Sequence, residues 1–411
     1  MTGEYKKSIN AIALITAICL AGDSMLYIVL PTHWKAAGLT SLLQVGVLLA
    51  VNRFVRLPLN PLIGYIYKKV NFLKAILFAV ILSGITTISY GLVQNFYIWV
   101  ILRSFWGLSW SLFKLGAYLL ILQLSSNDNR GSFMGSYNGL YRLGSLLGML
   151  LGGLFADLFG IRIISLILGF GAFMSIPIIF NYIPTTLQAS ESVNGKSDLL
   201  ANIGLFLNKK LLMILVTAFL LTIFLDGMLT AILSHIIEEK YTDKIDILGG
   251  IVVGASTLAG FIQALRWGIG PFIVPKFGHL LDKSKQQSSI LSILLVTVFI
   301  LLVIIPLHIP LVVWLPIVLI HVLLSSVLIM VMDAFAGDFA AKVPSKILIM
   351  TAYTIIIDLG AALGPITGYA LEQDIGLTGL FWLAAGVCVV LSIIWVIPRN
   401  HLFKQNRFEN M

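Results

Sequence analysis

Charge is scarce in this 411-residue chain: Asp, Glu, Lys and Arg make up 11% of it, against 59% hydrophobic residues. Soluble domains carry about 25% charged and about 45–50% apolar residues. A soluble domain this apolar would still need polar helix faces, and most of the apolar runs here have none. Cysteine is almost absent, and Cys19 and Cys388 both lie inside apolar runs, which excludes a disulfide framework. Only one long polar stretch interrupts the chain, at 184–209. No phosphate-binding glycine loop or nucleophile triad is present, and His33, His235, His279, His308 and His321 show no metal spacing. No enzyme activity, cofactor or metal is therefore expected. The composition describes a polytopic helical membrane protein.

A net charge of +9 would point to nucleic acid in a soluble protein. Here the basic residues follow the loops instead. Seventeen of them, Lys6, Lys7, Lys209 and Lys210 included, fall on alternate loops or the two tails, against Lys35, Arg162, Lys240 and Lys244 on the opposite loops. This bias puts both termini in the cytoplasm of a plasma membrane, with lipid rather than nucleic acid as the partner. The first apolar run is too long for a signal peptide, carries Asp23 and has no small-residue cleavage site. It reads as a retained helix.

Apolar runs give twelve expected spans, at 9–31, 41–66, 73–94, 96–122, 132–156, 161–183, 211–237, 248–272, 289–307, 310–332, 347–370 and 378–398. The polar stretch divides them into a bundle at 1–183, a cytoplasmic linker at 184–209 and a second bundle at 210–411. The linker's end, 199–207, reads as a short interfacial helix. Four matches in chain order relate the halves. Asp23-Ser-Met-Leu matches Asp226-Gly-Met-Leu, and Pro61-Leu-Ile-Gly64 matches Pro275-Lys-Phe-Gly278. Arg130 before span 5 matches Lys346 before span 11. Arg142-Leu-Gly144, continuing to Gly148 and Gly152, matches Asp358-Leu-Gly360, continuing to Gly364-Pro365 and Gly368. Parallel six-helix repeats of this kind build transporters.

Charge inside a span is expensive and marks function. Span 2 carries Asn52, Arg53, Arg56 and Asn60 as a stripe, and span 8 carries Gln263, Arg266 and Trp267. Arg103, Gly107, Trp110, Ser111 and Lys114 share one face of span 4. Asp23 and Tyr27 share a face of span 1, as Thr222, Asp226 and Thr230 do on span 7. Each acid could equally form a fixed salt bridge to one of the arginines. The glycine ridges let a neighbouring helix approach closely, while Arg142 and Asp358 point about 200° away from Gly144 and Gly360, toward a central cavity.

Over the whole chain these features resemble the major facilitator superfamily. That family's loop after span 2 reads Gly-x-x-x-Asp-Arg-x-Gly-Arg-Lys. Here Gly64-Tyr-Ile-Tyr67-Lys68-Lys69-Val70 has Tyr67 at the acidic position, whereas Gly278-His-Leu-Leu-Asp282-Lys283 keeps the acid. The resemblance implies that this loop latches the halves on the cytoplasmic side, a role put in doubt where the acid is lost. Arg103-Ser-Phe-Trp-Gly107 is similar to the family's span-4 element, and the span-5 glycine motif to its antiporter element, with Met149 in place of the proline. The resemblance implies the drug or metabolite:proton antiporter branch. It implies an all-α major facilitator fold of twelve helices in two pseudo-symmetric bundles, acting as a monomer by alternating access.

On this reading Asp23, Asp226 and Asp358 are the proton-coupling candidates, with Na⁺ able to use the same carboxylates. Tyr27, Asn52, Arg53, Arg56, Arg103, Trp110, Arg142, Gln263, Arg266 and Trp267 are the substrate-binding candidates. Gly64, Lys68, Lys69, Gly144, Gly148, Gly152, Gly278, Asp282, Lys283, Gly360, Gly364 and Pro365 are the candidates for conformational roles. Arginine presents a planar fork suited to carboxylate and phosphate. The small-molecule substrate is accordingly expected to be an anionic or zwitterionic organic solute, exported. A cation exporter, an importer of an anionic nutrient, and a membrane receptor or scaffold are the alternatives.

Overall fold

The computed structural model describes residues 2–125, 130–185, 208–241, 245–246, 252–284, 286–343 and 346–396. The expected linker helix at 199–207 and most of 184–209 lie outside them, as do the side chains of Lys68, Arg130, Asp282, Lys283 and Lys346. The described residues are helical apart from one minimal hairpin and short connections. The helices are α1 Thr2–His33, α2 Leu42–Lys69, α3 Phe72–Tyr90, α4 Phe96–Leu124, α5 Arg130–Phe173 and α6 Ile176–Tyr182. After them come α7 Lys209–Leu221, a π-helical turn at Thr222–Met228, and α8 Leu229–Lys240. The hairpin pairs Ile245 with Val253 and Asp246 with Val252. It is followed by α9 Ala255–Lys283, α10 Gln287–Ile304, α11 Leu311–Ala341 and α12 Lys346–Val396.

Polar caps start several of these helices, because the first turn has backbone N–H groups without partners. Ser41 accepts from the Gln44 N–H, Asn71 from Lys74, Asn95 from Tyr97 and Ile98, and Asn208 from Lys210 and Leu211. Trp99 and Trp314 stand four residues after the caps Asn95 and Pro310, and each indole N–H donates to the preceding loop, at Val93 O (3.1 Å) and Ile305 O (2.9 Å). This is a further correspondence between the halves. Nine helices among the described residues are long and apolar enough to cross a membrane, or ten if the bent pair Ala255–Gly270 and Phe272–Gly278 counts as one span. Two of the nine run 51 and 49 residues, more than a single crossing needs. Each is broken by a glycine in the left-handed region, Gly160 (φ 80°) and Gly376 (φ 68°). Only glycine takes that conformation without strain. The expected start of span 8 at 248 is corrected to Ala255, because Val252 and Val253, just before the helix, pair as strand.

Two compact units divide the chain. The first contains Met1–Ser192, Ile223–Ile269 and Ala361–Asp374; the second contains Val193–Thr222, Gly270–Gly360 and Ile375–Met411. The main core of the first unit joins α1, α3, α4, α5 and α6 around Ile12, Phe72, Phe113, Tyr137 and Ile179. Its tightest contact is α5 on α1. A Cβ on Gly144 would stand 2.1 Å from Ala17 O, on Gly148 2.3 Å from Ala21 O, and on Gly152 2.4 Å from Met25 Cβ. The matching ridge of α12 packs on span 7: Gly364 meets Gly227, and Gly368 meets Met228 and Ile232, in the first unit. Gly360 meets Phe219 O and Thr222 in the second.

These contacts make a sharp contrast testable. Gly144→Ala forces α5 off the α1 backbone and is expected to lower stability by about 1–3 kcal/mol, the usual cost of overpacking. Gly139→Ala, where a Cβ would meet nothing within 4 Å, should be neutral or better. Thermal unfolding of the two purified variants checks this.

Candidate functional site

Three helices of the first unit converge on Asp23. Arg103 of α4 donates through Nη1 to Asp23 Oδ1 and through Nε to the Leu48 carbonyl of α2 (2.8 Å). Asn52 Nδ2 donates to the same Oδ1 at 3.2 Å. The Arg103 side chain is fully buried and that of Asp23 is 7% exposed. Gly107, one turn along α4, makes the approach possible, since a Cβ there would stand 2.7 Å from Asn52 O.

Asp226 forms the second pair. It lies in the π turn, and Arg266 of α9 donates to its Oδ1 at 2.8 Å, with the other guanidinium nitrogen 3.4 Å from Thr230 Oγ1. The Asp226 side chain is 27% exposed and that of Arg266 4%, so the acid of this pair is more accessible than Asp23. Aligning Pro61 with Pro275 sets Asn52 opposite Arg266, each nine residues before its proline. The two halves thus keep the acid and draw the cation from different helices: span 4 in one, span 8 in the other. Both acids are held in salt bridges, the alternative left open by the sequence. The π turn has no counterpart in the sequence reading; such turns recur at functional sites.

Around these pairs lie aromatic faces. Trp106 and Trp110 stack with centroids 5.9 Å apart, Tyr141 meets Trp110 edge-on, and the Arg56 guanidinium is 5.9 Å from the Trp110 ring. Arg53 Nε donates to the Tyr27 hydroxyl at 3.3 Å, and that hydroxyl donates to Leu49 O. Trp267 is flanked by Arg142 and Arg266, at 5.6 and 5.5 Å. Several buried polar atoms here have no hydrogen-bond partner among the described residues: both amide atoms of Gln263, Asn52 Oδ1, and the indole N–H groups of Trp106, Trp110 and Trp267. Unsatisfied polar groups in a buried site are costly unless something polar visits them. Lys114 is half-buried on α4.

The remaining candidates are placed as follows. Tyr67, at the expected acidic position of the loop, donates to Leu112 O of α4 at 2.7 Å, and Lys69 lies 4.6 Å from the Tyr65 ring. Gly64 and Gly278 have room around them, with nearest side-chain atoms 4.0 and 3.7 Å from a built Cβ. Asp358, half-buried, belongs to the second unit.

One end of the first unit, where α1 finishes, is closed by helices from both halves of the sequence. A Cβ on Gly46 of α2 would stand 2.6 Å from Pro365 O, and one on Gly260 of α9 would stand 2.3 Å from Met149 O. Met149 and Pro365 are the matched positions of the two glycine motifs, and Gly46 and Gly260 match by the same alignment as Asn52 and Arg266. Two equivalent crossings therefore join span 2 to span 11 and span 8 to span 5. Asp157 of α5 accepts from the Thr257 N–H (2.7 Å) and hydroxyl (2.6 Å), capping the first turn of α9, and Thr32 Oγ1 lies 2.6 Å from Ser256 Oγ.

A membrane helix bundle with repeat-related charge pairs and glycine crossings is the architecture of a transporter. The sequence profile of the Major Facilitator Superfamily matches residues 12–348, and the chain belongs to that family. No curated protein sequence matches it. Among solved structures it is similar to a bacterial homolog of the human lysosomal transporter Spinster in an inward-facing, unoccupied conformation. Identity is 15%, the TM-score 0.74, and 95% of each chain is covered. It is also similar to a point mutant of the nucleoside transporter NupG, at 12% identity over 97% of this chain and 100% of that one, with a TM-score of 0.74. A POT family transporter in complex with 5-aminolevulinic acid gives 13% identity over 97% and 96%, with a TM-score of 0.72. The fold is thus that of the major facilitators, and the protein is a transporter rather than an enzyme.

Two outcomes follow from this geometry. Arg103→Met strands a buried carboxylate and should cost about 3–5 kcal/mol, most of it recovered when Asp23→Asn is added; a thermal-stability cycle reads both. For the closed end, Thr32→Cys with Ser256→Cys should crosslink readily. Adding Gly260→Leu, which cannot fit against Met149, should lower the crosslink yield several-fold.

Proposed function

We propose that this transporter works as a secondary active, proton-coupled exporter of an anionic or zwitterionic organic solute. Twelve crossings, with each of the two over-long helices crossing twice, and cytoplasmic termini are the topology in which it would do so. The observation carrying this reading is the cluster in the first unit. Five arginines (Arg53, Arg56, Arg103, Arg142 and Arg266) line up with two aspartates, Arg103 and Arg266 each hold one of them, and Arg142 is spread over an indole face. Such a lining repels a cation in a low-dielectric cavity and offers planar forks to carboxylate or phosphate. Indole N–H groups and the Gln263 amide, without hydrogen-bond partners among the described residues, add donors beside them.

Asp226 is the better proton carrier of the two paired acids. Proton exchange needs access to water, and its side chain is 27% exposed against 7% for Asp23. Its π turn can also re-form as α-helix when the partner arginine leaves. Asp23, sealed with Arg103 and Asn52, suits a structural joint between spans 1, 2 and 4. Asp358 remains a carrier candidate on the equivalent face of span 11. Alternating access would release the glycine crossings and the Asp157 cap at one end while substrate and proton exchange at the other.

Reconstitution into vesicles with an imposed pH gradient tests the proposal. Asp226→Asn is expected to abolish uphill accumulation while leaving downhill exchange. Uphill transport surviving in Asp23→Asn, Asp226→Asn and Asp358→Asn alike would remove coupling through these acids. Competition decides the substrate charge: carboxylates or phosphates should displace a bound amphiphile, and displacement by ethidium-like cations alone would favour the cation exporter.

A further inference from the structure

The closed end of the first unit carries a group of side chains that the transport reading leaves unused. His235 and Glu239 stand one turn apart on α8, and Glu372 comes from α12, 137 positions away from His235. His235 Nε2 lies 2.6 Å from Glu372 Oε1 and 3.9 Å from Glu239 Oε2. One ligand atom from each residue falls within 4.8 Å of the others. The His235 side chain is only 16% exposed and that of Glu372 only 13%, while Glu239, at 58%, opens the group to the outside. Glu372 Oε2 is buried with no hydrogen-bond partner among the described residues. One oxygen of this carboxylate therefore holds the imidazole and the other is spare, an expensive arrangement unless a cation shares it.

We propose that His235, Glu239 and Glu372 form a binding site for a divalent transition-metal ion of the Zn²⁺ class. A tetrahedral ion with bonds of about 2.0–2.1 Å holds its ligands roughly 3.3 Å apart, and the two His235 separations, 2.6 and 3.9 Å, bracket that value. The imidazole selects against Mg²⁺ and Ca²⁺, which take oxygen ligands. Three protein ligands leave one position for water. Binding displaces the proton shared by Nε2 and Oε1 to solvent, as metal binding to histidine requires. Glu238, Asp157, His33 and Lys35 interact electrostatically at the same end. Both ligand helices belong to the C-terminal half, so the ion ties spans 7 and 11 together and its binding is independent of the transport reading.

The test uses the full-length protein in detergent with any histidine tag removed, titrated with Co²⁺ and Zn²⁺. The expected result is one Co²⁺ per chain, with visible d–d absorption that Zn²⁺ abolishes. Glu239→Gln, at an exposed position that the fold does not need, should weaken binding on the order of tenfold, comparable with loss of a supporting group in known metal sites. His235→Ala with Glu372→Gln should abolish binding, and His33→Ala should leave it unchanged. Absence of saturable Co²⁺ absorption, equal binding by all variants, or displacement by Ca²⁺ as effective as by Zn²⁺ would overturn the assignment.

Discussion

Helices in hydrocarbon gain little by burying apolar side chains against one another, since lipid tails are equally apolar. They associate where backbones can touch. In this protein that requirement falls on glycine. Gly144, Gly148 and Gly152 seat α5 on α1, and the matching ridge of α12 sits on span 7. The same motif then presents one carbonyl, Met149 O or Pro365 O, to a glycine of the opposite half. A single sequence element thus organises the interior of its own half and touches the other half. This explains why the proline of the second copy can be methionine in the first: the contact is made by the backbone, which does not depend on the side chain.

With the backbones in contact, the polar groups have few places to go. Arg103 reaches Asp23 because Gly107 brings α4 against the Asn52 carbonyl, and Arg266 reaches Asp226 across a π turn. The two pairs are alike in chemistry and unlike in access. One is sealed among three helices; the acid of the other is partly exposed.

The fold was largely legible in the sequence, because hydropathy in lipid leaves the backbone few alternatives. The all-helical membrane fold, the repeat and the glycine ridges could be read from it, whereas the twelve expected spans stand against nine or ten membrane-length helices among the described residues. Helix ends were less accessible: α9 begins later than the hydropathy suggests because Val252 and Val253, apolar enough for a span, pair as strand. Within the site, the acids and arginines stood out as charges in apolar runs, but their pairing did not, since Asp23 chooses a cation 80 positions away over the nearer Arg53. The Asp157 cap and the His235 group were hidden for the same reason. Each joins residues 100 or more positions apart through a helix crossing that no local pattern records. The π turn has no compositional mark at all.

That turn, Thr222–Met228, has a mechanical meaning for the helix that contains it. A π turn is to a helix what a dislocation is to a crystal: one surplus residue held in an otherwise regular lattice. Moving it by one residue exchanges one hydrogen bond for another and turns the segment it passes by about 100°. A straight helix would have to break a whole turn of bonds to rotate the face bearing Asp226. This one could do so a row at a time, and where it meets α12 the contact is backbone on backbone, Gly227 against Gly364, with no side chain between them.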